Sequence, residues 1–200
     1  MRGWIEFETA RLVLRQWKET DKKTFAVLNA DPRVMEFFPA PLTRKESDAV
    51  ADKCQLFIEE HGWGFWAVEE KRTHDFLGFV GLYIPRADLP FSPCVEIGWR
   101  LAFPYWGKGV ASEAAKGALA IGFCVLNLKE IVSFTAFHNV RSQAVMRRIG
   151  MHRVPGSFAH PGVAVSSPLR EHLLYRLADR SWRQQENEIQ LPVHTFVSFV

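Results

Sequence analysis

Across residues 95–113 the chain passes from a β-forming run to a helix-forming one through a loop that carries Gly107 and Gly109. The strand-like residues end near Leu101 and Pro104 breaks the pattern. Trp106-Gly107-Lys108-Gly109-Val110-Ala111 then leads into Ser112-Glu113-Ala114-Ala115-Lys116. Two glycines one residue apart allow successive backbone N–H groups to turn toward one point. The first N–H groups of the new helix add unpaired donors and the positive end of its dipole. This order predicts a loop that holds a phosphate or pyrophosphate.

Two nucleotide fingerprints fail on the spacing. A P-loop requires G-x-x-x-x-G-K-[ST], whereas Lys108 stands between the glycines. A dinucleotide fingerprint would have a third glycine or alanine where Ser112 stands. Glu130 lies at a suitable distance but precedes the strand-like run 131–137 instead of ending one. A tight packing turn without a ligand is the other reading of the same glycines.

The succession continues with a helix to about Phe123, a strand over 131–137, and Asn139-Val140-Arg141-Ser142 opening a helix that stops at Gly150. In this order of elements the chain resembles the GNAT acetyltransferase superfamily. That family's acyl-CoA loop reads [QR]-x-x-G-x-[GA]; Trp106, Gly109 and Ala111 stand at the three defining positions, the first being a departure. The Trp-Gly-Lys-Gly form, preceded by Glu96-Ile97-Gly98-Trp99, is similar to the RimJ/RimL-type protein N-terminal acetyltransferases. Asn139-x-x-Ser142-x-x-Val145-Met146-x-Arg148-x-Gly150 matches that branch's second signature. Thr9-Ala10-Arg11-Leu12-Val13-Leu14-Arg15 and residues 171–178 extend the resemblance to 8–182. It implies one acetyltransferase domain over residues 1–182, a C-terminal extension over 183–200, and acetyl-CoA as donor.

Other features set limits. A chain of 200 residues suits one domain, and 48% apolar content with 16 Phe argues for a packed globule. The net charge of +3 is mild and its cations are scattered among acids, so no nucleic-acid partner is implied. Cys54, Cys94 and Cys124 lack metal-ligand spacing and read as reduced core thiols of a cytoplasmic protein. Glu6 interrupts the amino terminus, which does not read as a signal peptide, and no apolar run is long enough to span a membrane. A monomer or homodimer is expected.

Periodicity gives the remaining elements. Residues 11–17 read as a strand, and Thr20 is placed to cap a helix through Leu28. Pro32 opens a further turn. Thr43-Arg44-Lys45-Glu46 is a capping box that starts a helix to about His61, closed by Gly62, with Val50, Cys54, Phe57 and Ile58 on its apolar face. Residues 64–69, 76–83 and 171–178 read as strands, and 85–93 and 155–168 as loops. The order β-α-α-β-β-β-α-β-α-β-β predicts an α+β fold, a twisted and largely antiparallel mixed sheet with helices on both faces. One parallel pair, strands 94–101 and 131–137, follows from the crossover. The resemblance implies that this pair splays to admit the pantetheine arm. The alternating tail 191–200 lies beyond the usual family end and could add an edge strand, pack on a partner or cover a groove.

Acetyl transfer needs an uncharged amine, an oriented thioester, donors for a developing oxyanion and a proton for the leaving thiolate. Backbone groups near Trp99 and Leu101 are expected at the thioester. Trp106, Gly107, Lys108, Gly109, Val110, Ala111 and Ser112 form the expected cofactor loop, with Asn139, Ser142 and Arg148 completing the set. Glu96 is the candidate base or organiser of a water chain; a strand glutamate paired with a neighbouring cation is the alternative. Many family members carry a tyrosine acid where Met146 stands, and Met146 has no proton to give, so Ser142 is the nearest substitute. Its alternative role is to satisfy the helix start. Glu36, Phe37 and Phe38, on a Pro-limited loop, are implied substrate contacts. His138 reads as a surface residue. The expected reaction is direct acetylation of a primary amine, a protein or peptide α-amine. The alternatives are a small-molecule amine, or a CoA-binding module without turnover.

Overall fold

The structure, a computed structural model, describes residues 3–186 and the strand 194–198. Its strands are β1 (Trp4–Glu8), β2 (Leu12–Arg15), β3 (Phe65–Glu70), β4 (Phe76–Tyr83), β5 (Glu96–Leu101), β6 (Glu130–Ala136), β7 (His152–Arg153), β8 (Phe158–Ala159), β9 (Glu171–Ala178) and β10 (His194–Ser198). The helices are α1 (Asp21–Ala30), α2 (Arg44–His61), α3 (Val110–Ala120), α4 (Val140–Arg148) and α5 (Asp179–Glu186). The strands join in the order β10-β1-β2-β3-β4-β5-β6-β9-β7, and β8 pairs with β9. Every pairing is antiparallel except β5 with β6. This is the expected mixed α+β sheet.

Alternation along β4 sends neighbouring side chains to opposite faces. Phe79 meets Phe25 of α1 at 6.0 Å between ring centroids. Leu82 lies on the other face, where the start of a Cβ at Gly122, just beyond α3, would come within 3.1 Å of it. The sheet is therefore sandwiched between α1–α2 and α3. α2 forms where its sequence says it should. Thr43 Oγ1 accepts the Glu46 N–H, the Glu46 carboxylate accepts the Thr43 N–H, and Gly62 takes the left-handed conformation (φ 81°) that closes the helix.

Several expectations change. Thr20 is itself helical (φ −63°, ψ −24°) and makes no side-chain cap. The start of α1 is held instead by the Asp21 carboxylate, which accepts the Lys18 N–H and both terminal nitrogens of the buried Arg15. α3 ends at Ala120 and continues as a π-type turn over Ile121–Val125. β1 was not read as a strand, although Ile5 and Phe7 alternate with Glu6 and Glu8 and face the core. Only Cys54 is a buried thiol; Cys94 is half-buried and Cys124 exposed. Part of the apolar tail does add an edge strand, since β10 pairs with β1 from Trp4↔Ser198 to Glu8↔His194. The rest of the tail, 187–193 and 199–200, lies outside the described residues. Among the described residues no helix is long and apolar enough to cross a membrane.

Candidate active site

β5 and β6 pair at one register position, Glu96↔Val132. The Val132 N–H donates to the Val95 carbonyl at 2.9 Å. One step further the Ser133 hydroxyl, not a backbone N–H, reaches the Ile97 carbonyl at 2.9 Å. Beyond that point the two strands separate. The Ala102 N–H donates to the Leu77 carbonyl of β4 at 2.9 Å. The alternation of an antiparallel ladder then turns residues 96, 98 and 100 toward β4, and the backbone groups of Trp99 and Leu101 toward the gap. The Leu101 carbonyl is taken by the Trp106 indole at 2.8 Å. Both groups of Trp99 and the N–H of Leu101 face the seam, as the splayed-strand expectation requires.

The glycine loop stands at one end of this seam. Gly107 and Gly109 have φ 72° and 77°, values that L-residues with a Cβ rarely adopt. Gly109 precedes α3 as its cap without any side-chain bond. Among the described residues no hydrogen bond engages the N–H groups of residues 107–112, and Gly107, Lys108 and Gly109 are exposed. Six adjacent donors with no acceptor, at a helix N-terminus, fit a pyrophosphate. The Lys108 ammonium lies 5.9 Å from the Tyr105 ring centroid. The loop is braced from behind. Arg11 donates to the Lys108 carbonyl at 3.1 Å and to Glu113 at 2.6 Å, and the Thr9 hydroxyl donates to Glu113 at 2.6 Å. These bonds hold the Glu113 carboxyl below the usual carboxylate range against the opposing effect of burial. The resemblance included Thr9 and Arg11 but offered no reason for them; this brace is the reason.

At the start of α4 the Asn139 amide is fully committed. Its Oδ1 accepts the Ser142 N–H, and its Nδ2 donates to Thr135 Oγ1 at 2.9 Å and Ser142 Oγ at 3.1 Å. Asn139 is thus a helix cap whose side chain also positions Ser142. Ser142 Oγ receives a hydrogen bond and its own proton has no acceptor among the described residues. Met146 is 1% exposed and packed in the core. The Tyr175 hydroxyl donates to Gln143 at 3.4 Å and accepts from Arg147 at 3.2 Å. Arg148 is exposed in the last turn of α4, about 9 Å along the axis from Ser142 by helical rise.

Glu96 occupies the last paired rung before the seam. It is half-buried, and among the described residues no hydrogen bond or ion pair reaches its carboxylate. Burial pushes that carboxyl up to about 7. The expected alternative, a strand glutamate paired with a cation, is absent among the described residues.

The loop between α1 and α2 reaches across to the same place. Glu36 forms an ion pair with Arg141 in the first turn of α4. The Arg141 guanidinium also lies 5.5 Å from the Phe37 ring and 5.0 Å from the Trp106 ring. Phe38, 37% exposed, carries the Arg100 guanidinium at 4.1 Å. The structure therefore brings Glu36, Phe37 and Phe38 beside the glycine loop and the start of α4. Arg100 and Arg141 were not singled out in the sequence: nothing local to either residue marks it. His138 is exposed.

Splayed parallel strands flanked by a donor-rich loop are the architecture of an acetyltransferase of the GNAT superfamily. The chain belongs to that family, whose description, Acetyltransferase (GNAT) domain, matches residues 11–152. It is 31% identical over 153 residues to the uncharacterized protein YkkB of Bacillus subtilis, covering 76% of this chain and 88% of that one. It is 30% identical over 159 residues to the FsC-acetyl coenzyme A-N(2)-transacetylase of Aspergillus fumigatus, covering 75% of this chain and 66% of that protein. A GNAT-family acetyltransferase from Bacillus anthracis superposes with a TM-score of 0.72 at 23% identity, over 88% of this chain and 99% of that one. Acetyl transfer, with the acetyl-CoA that the GNAT fold generally uses, is the chemistry of the family.

Proposed function

We propose that this protein is a RimJ/RimL-like N-acetyltransferase that moves the acetyl group of acetyl-CoA directly to a primary amine, specifically the α-amine of a protein or peptide. The acetyltransferase unit is residues 1–182, acting in the cytoplasm as a monomer or homodimer, with 183–200 as an extension. The observation that carries the reading is Glu96: a carboxyl unpaired among the described residues, raised to about 7, on the last rung before the seam. A base with that affinity is matched to an α-amine of pKa about 7.7–8.0, which needs little help to lose its proton near neutrality.

Acetyl-CoA supplies an acyl group already activated as a thioester. Residues 107–112 would hold its pyrophosphate through backbone N–H groups, and Trp99 and Leu101 would pair with its pantetheine arm. Glu96 takes the amine proton, directly or through water. Ser142 Oγ keeps a proton for the departing sulfur, with Asn139 fixing the hydroxyl's direction. Arg148 adds positive charge for the cofactor's phosphates. Glu36, Phe37 and Phe38 border the acceptor.

A small-molecule amine is the second reading. It is favoured by the fungal relative, whose name describes transfer from acetyl coenzyme A to an N(2) position. Release of free thiol from acetyl-CoA across an amine panel tests both. Turnover on peptides beginning with Ser, Ala or Met supports the first, turnover confined to small amines supports the second, and no thiol release with either class overturns the enzyme reading.

A further inference from the structure

Two arginines lie under α1 and α2 on the same face of the sheet, and they differ in one respect. Arg15 is buried and donates to two carboxylates, Asp21 and Glu69, at 2.7–2.9 Å. Arg100 has no carboxylate within ion-pair distance among the described residues. Its single side-chain hydrogen bond among the described residues runs from Nη1 to the neutral Asn29 Oδ1 at 2.7 Å. Its Nε is buried and bonded to nothing among the described residues. The titratable group that acts on it, Cys54, is a buried thiol pushed up to about 12 and carries no charge near neutrality. Burial has lowered the Arg100 guanidinium to about 10, so the site is costly for a cation that lacks an anion.

The position of this unmatched charge is informative. Arg100 and Glu96 are four residues apart on β5 and point to the same face, about 13 Å apart at their Cα atoms. Gly98 lies between them with no side chain of its own, and the Phe65 ring fills the space a Cβ there would enter, 3.1 Å away. Tyr83 stacks on Phe65 at 5.1 Å and Phe79 packs beside it at 4.9 Å. The floor from Glu96 to Arg100 is thus aromatic, with a base at one end and an unpaired guanidinium at the other. Phe38, from the loop that borders the acceptor, covers the guanidinium.

We propose that Arg100 is the anion-recognition residue of the acceptor site, and that the acceptor is a primary amine bearing a carboxylate within a few residues of the amine. This rests on the reading of Glu96 as the amine end. The carboxylate would accept from Nε and the second terminal nitrogen, the fork an arginine presents to a planar anion. An acceptor without it leaves the Nε unsatisfied.

The test compares diglycine, triglycine and tetraglycine with their C-terminal amides, pairs that differ only in the carboxylate, using the full chain with acetyl-CoA. Wild type should favour at least one acid over its amide by about ten- to a hundredfold in KM, the range of a charge-assisted hydrogen bond. In Arg100→Gln the ratio should fall to near one, and Arg100→Lys should restore part of it. A wild-type ratio near one at all three lengths overturns the proposal and makes Arg100 an anchor for the Phe38 loop. Calorimetry of the same peptides in the presence of CoA separates this from the catalytic reading. Arg100-dependent binding of an acid without turnover keeps the anion site and removes the acetylation of such amines. Absence of binding by every acid overturns the site. Should Arg100→Gln fail to fold, the wild-type comparison and Arg100→Lys decide.

Discussion

Arg11 and Glu113 are 102 residues apart in sequence, yet the Arg11 Nε donates to the Glu113 carboxylate at 2.6 Å while another nitrogen of the same guanidinium holds the Lys108 carbonyl. One side chain thereby ties the first turn of α3 to the loop before it. An ion pair whose arginine is half exposed contributes little to global stability, about 0–1 kcal/mol. Its larger effect is on the shape of the loop.

Arg11→Ala should therefore shift the midpoint of denaturant unfolding only slightly, while weakening CoA binding several-fold. Calorimetry beside a denaturation curve checks both. Glu113 adds a pH signature. Its folded-state pKa is lowered, so its stabilisation is present above the unfolded carboxylate range and is lost as pH falls through the folded value. Glu113→Gln should flatten that acid limb of the stability profile.

Gly109→Val should weaken CoA binding by more than tenfold. Space is not the main obstacle, because a Cβ there meets only Arg11 Nη2 at 3.5 Å. The left-handed φ of 77° is, costing a β-branched residue on the order of 1–3 kcal/mol. The backbone would relax and the neighbouring N–H groups would turn away. Lys108→Ala, which leaves that backbone intact, should change affinity far less. Equal affinity in wild type and Gly109→Val would remove the cofactor from this loop.

Ser142→Ala should lower kcat by about ten- to a hundredfold with little change in KM for acetyl-CoA, since a proton given as sulfur departs belongs to the transition state. The helix cap survives the change, because Asn139 still accepts the backbone N–H of residue 142 and donates to Thr135. A rise in KM alone would make Ser142 a cofactor contact and leave protonation to water.

Glu96→Gln should slow acetylation of an α-amine near neutrality by about tenfold or more, with the deficit closing above pH about 8, where the amine is largely neutral unaided. Stability should move the other way. The folded carboxyl is raised to about 7, so the folded state holds its proton where the unfolded chain has lost it. Wild-type stability then declines as pH rises from the unfolded value toward 7 and levels off above it. The glutamine variant lacks this decline and should be the more stable of the two at pH 8, by on the order of 1–3 kcal/mol. A rate ratio constant from pH 6.5 to 9 would make Glu96 a positioning residue instead of a base.

What could be read from the chain alone follows the range of the interactions. The capping box at Thr43 and Glu46, the stop at Gly62 and the glycines before α3 are local, and each appears where its spacing places it. Thr20 failed as a cap because Arg15, buried with Asp21 and Glu69, offers a stronger anchor than a hydroxyl, and only the folded sheet creates that environment. Met146, at the position where the resemblance expects a tyrosine, is packed in the core. Ser142 was visible as a residue type at a helix start; that its proton is left over depends on how Asn139 spends its own groups. Glu36 and Arg141 meet across 105 positions. Arg100 was the hardest to see, because its interest lies in a partner that is missing, and absence leaves no mark in a sequence.

The single rung between β5 and β6 has a thermodynamic consequence. The sheet contains an edge in its interior, so the strands on either side are coupled by one backbone pairing, by the Ser133–Ile97 hydrogen bond and by the π-type turn after α3, where Gly122 sits against both Leu82 and Ile131. Without ligand, the amide protons of Trp99 and Leu101 should exchange with solvent much faster than those of β4 beside them, and the two halves should open as separate units below the global unfolding free energy. A ligand in the seam would supply the missing rungs. The cofactor would then act as a removable strand, and its arrival would fuse two semi-independent halves into one cooperative body.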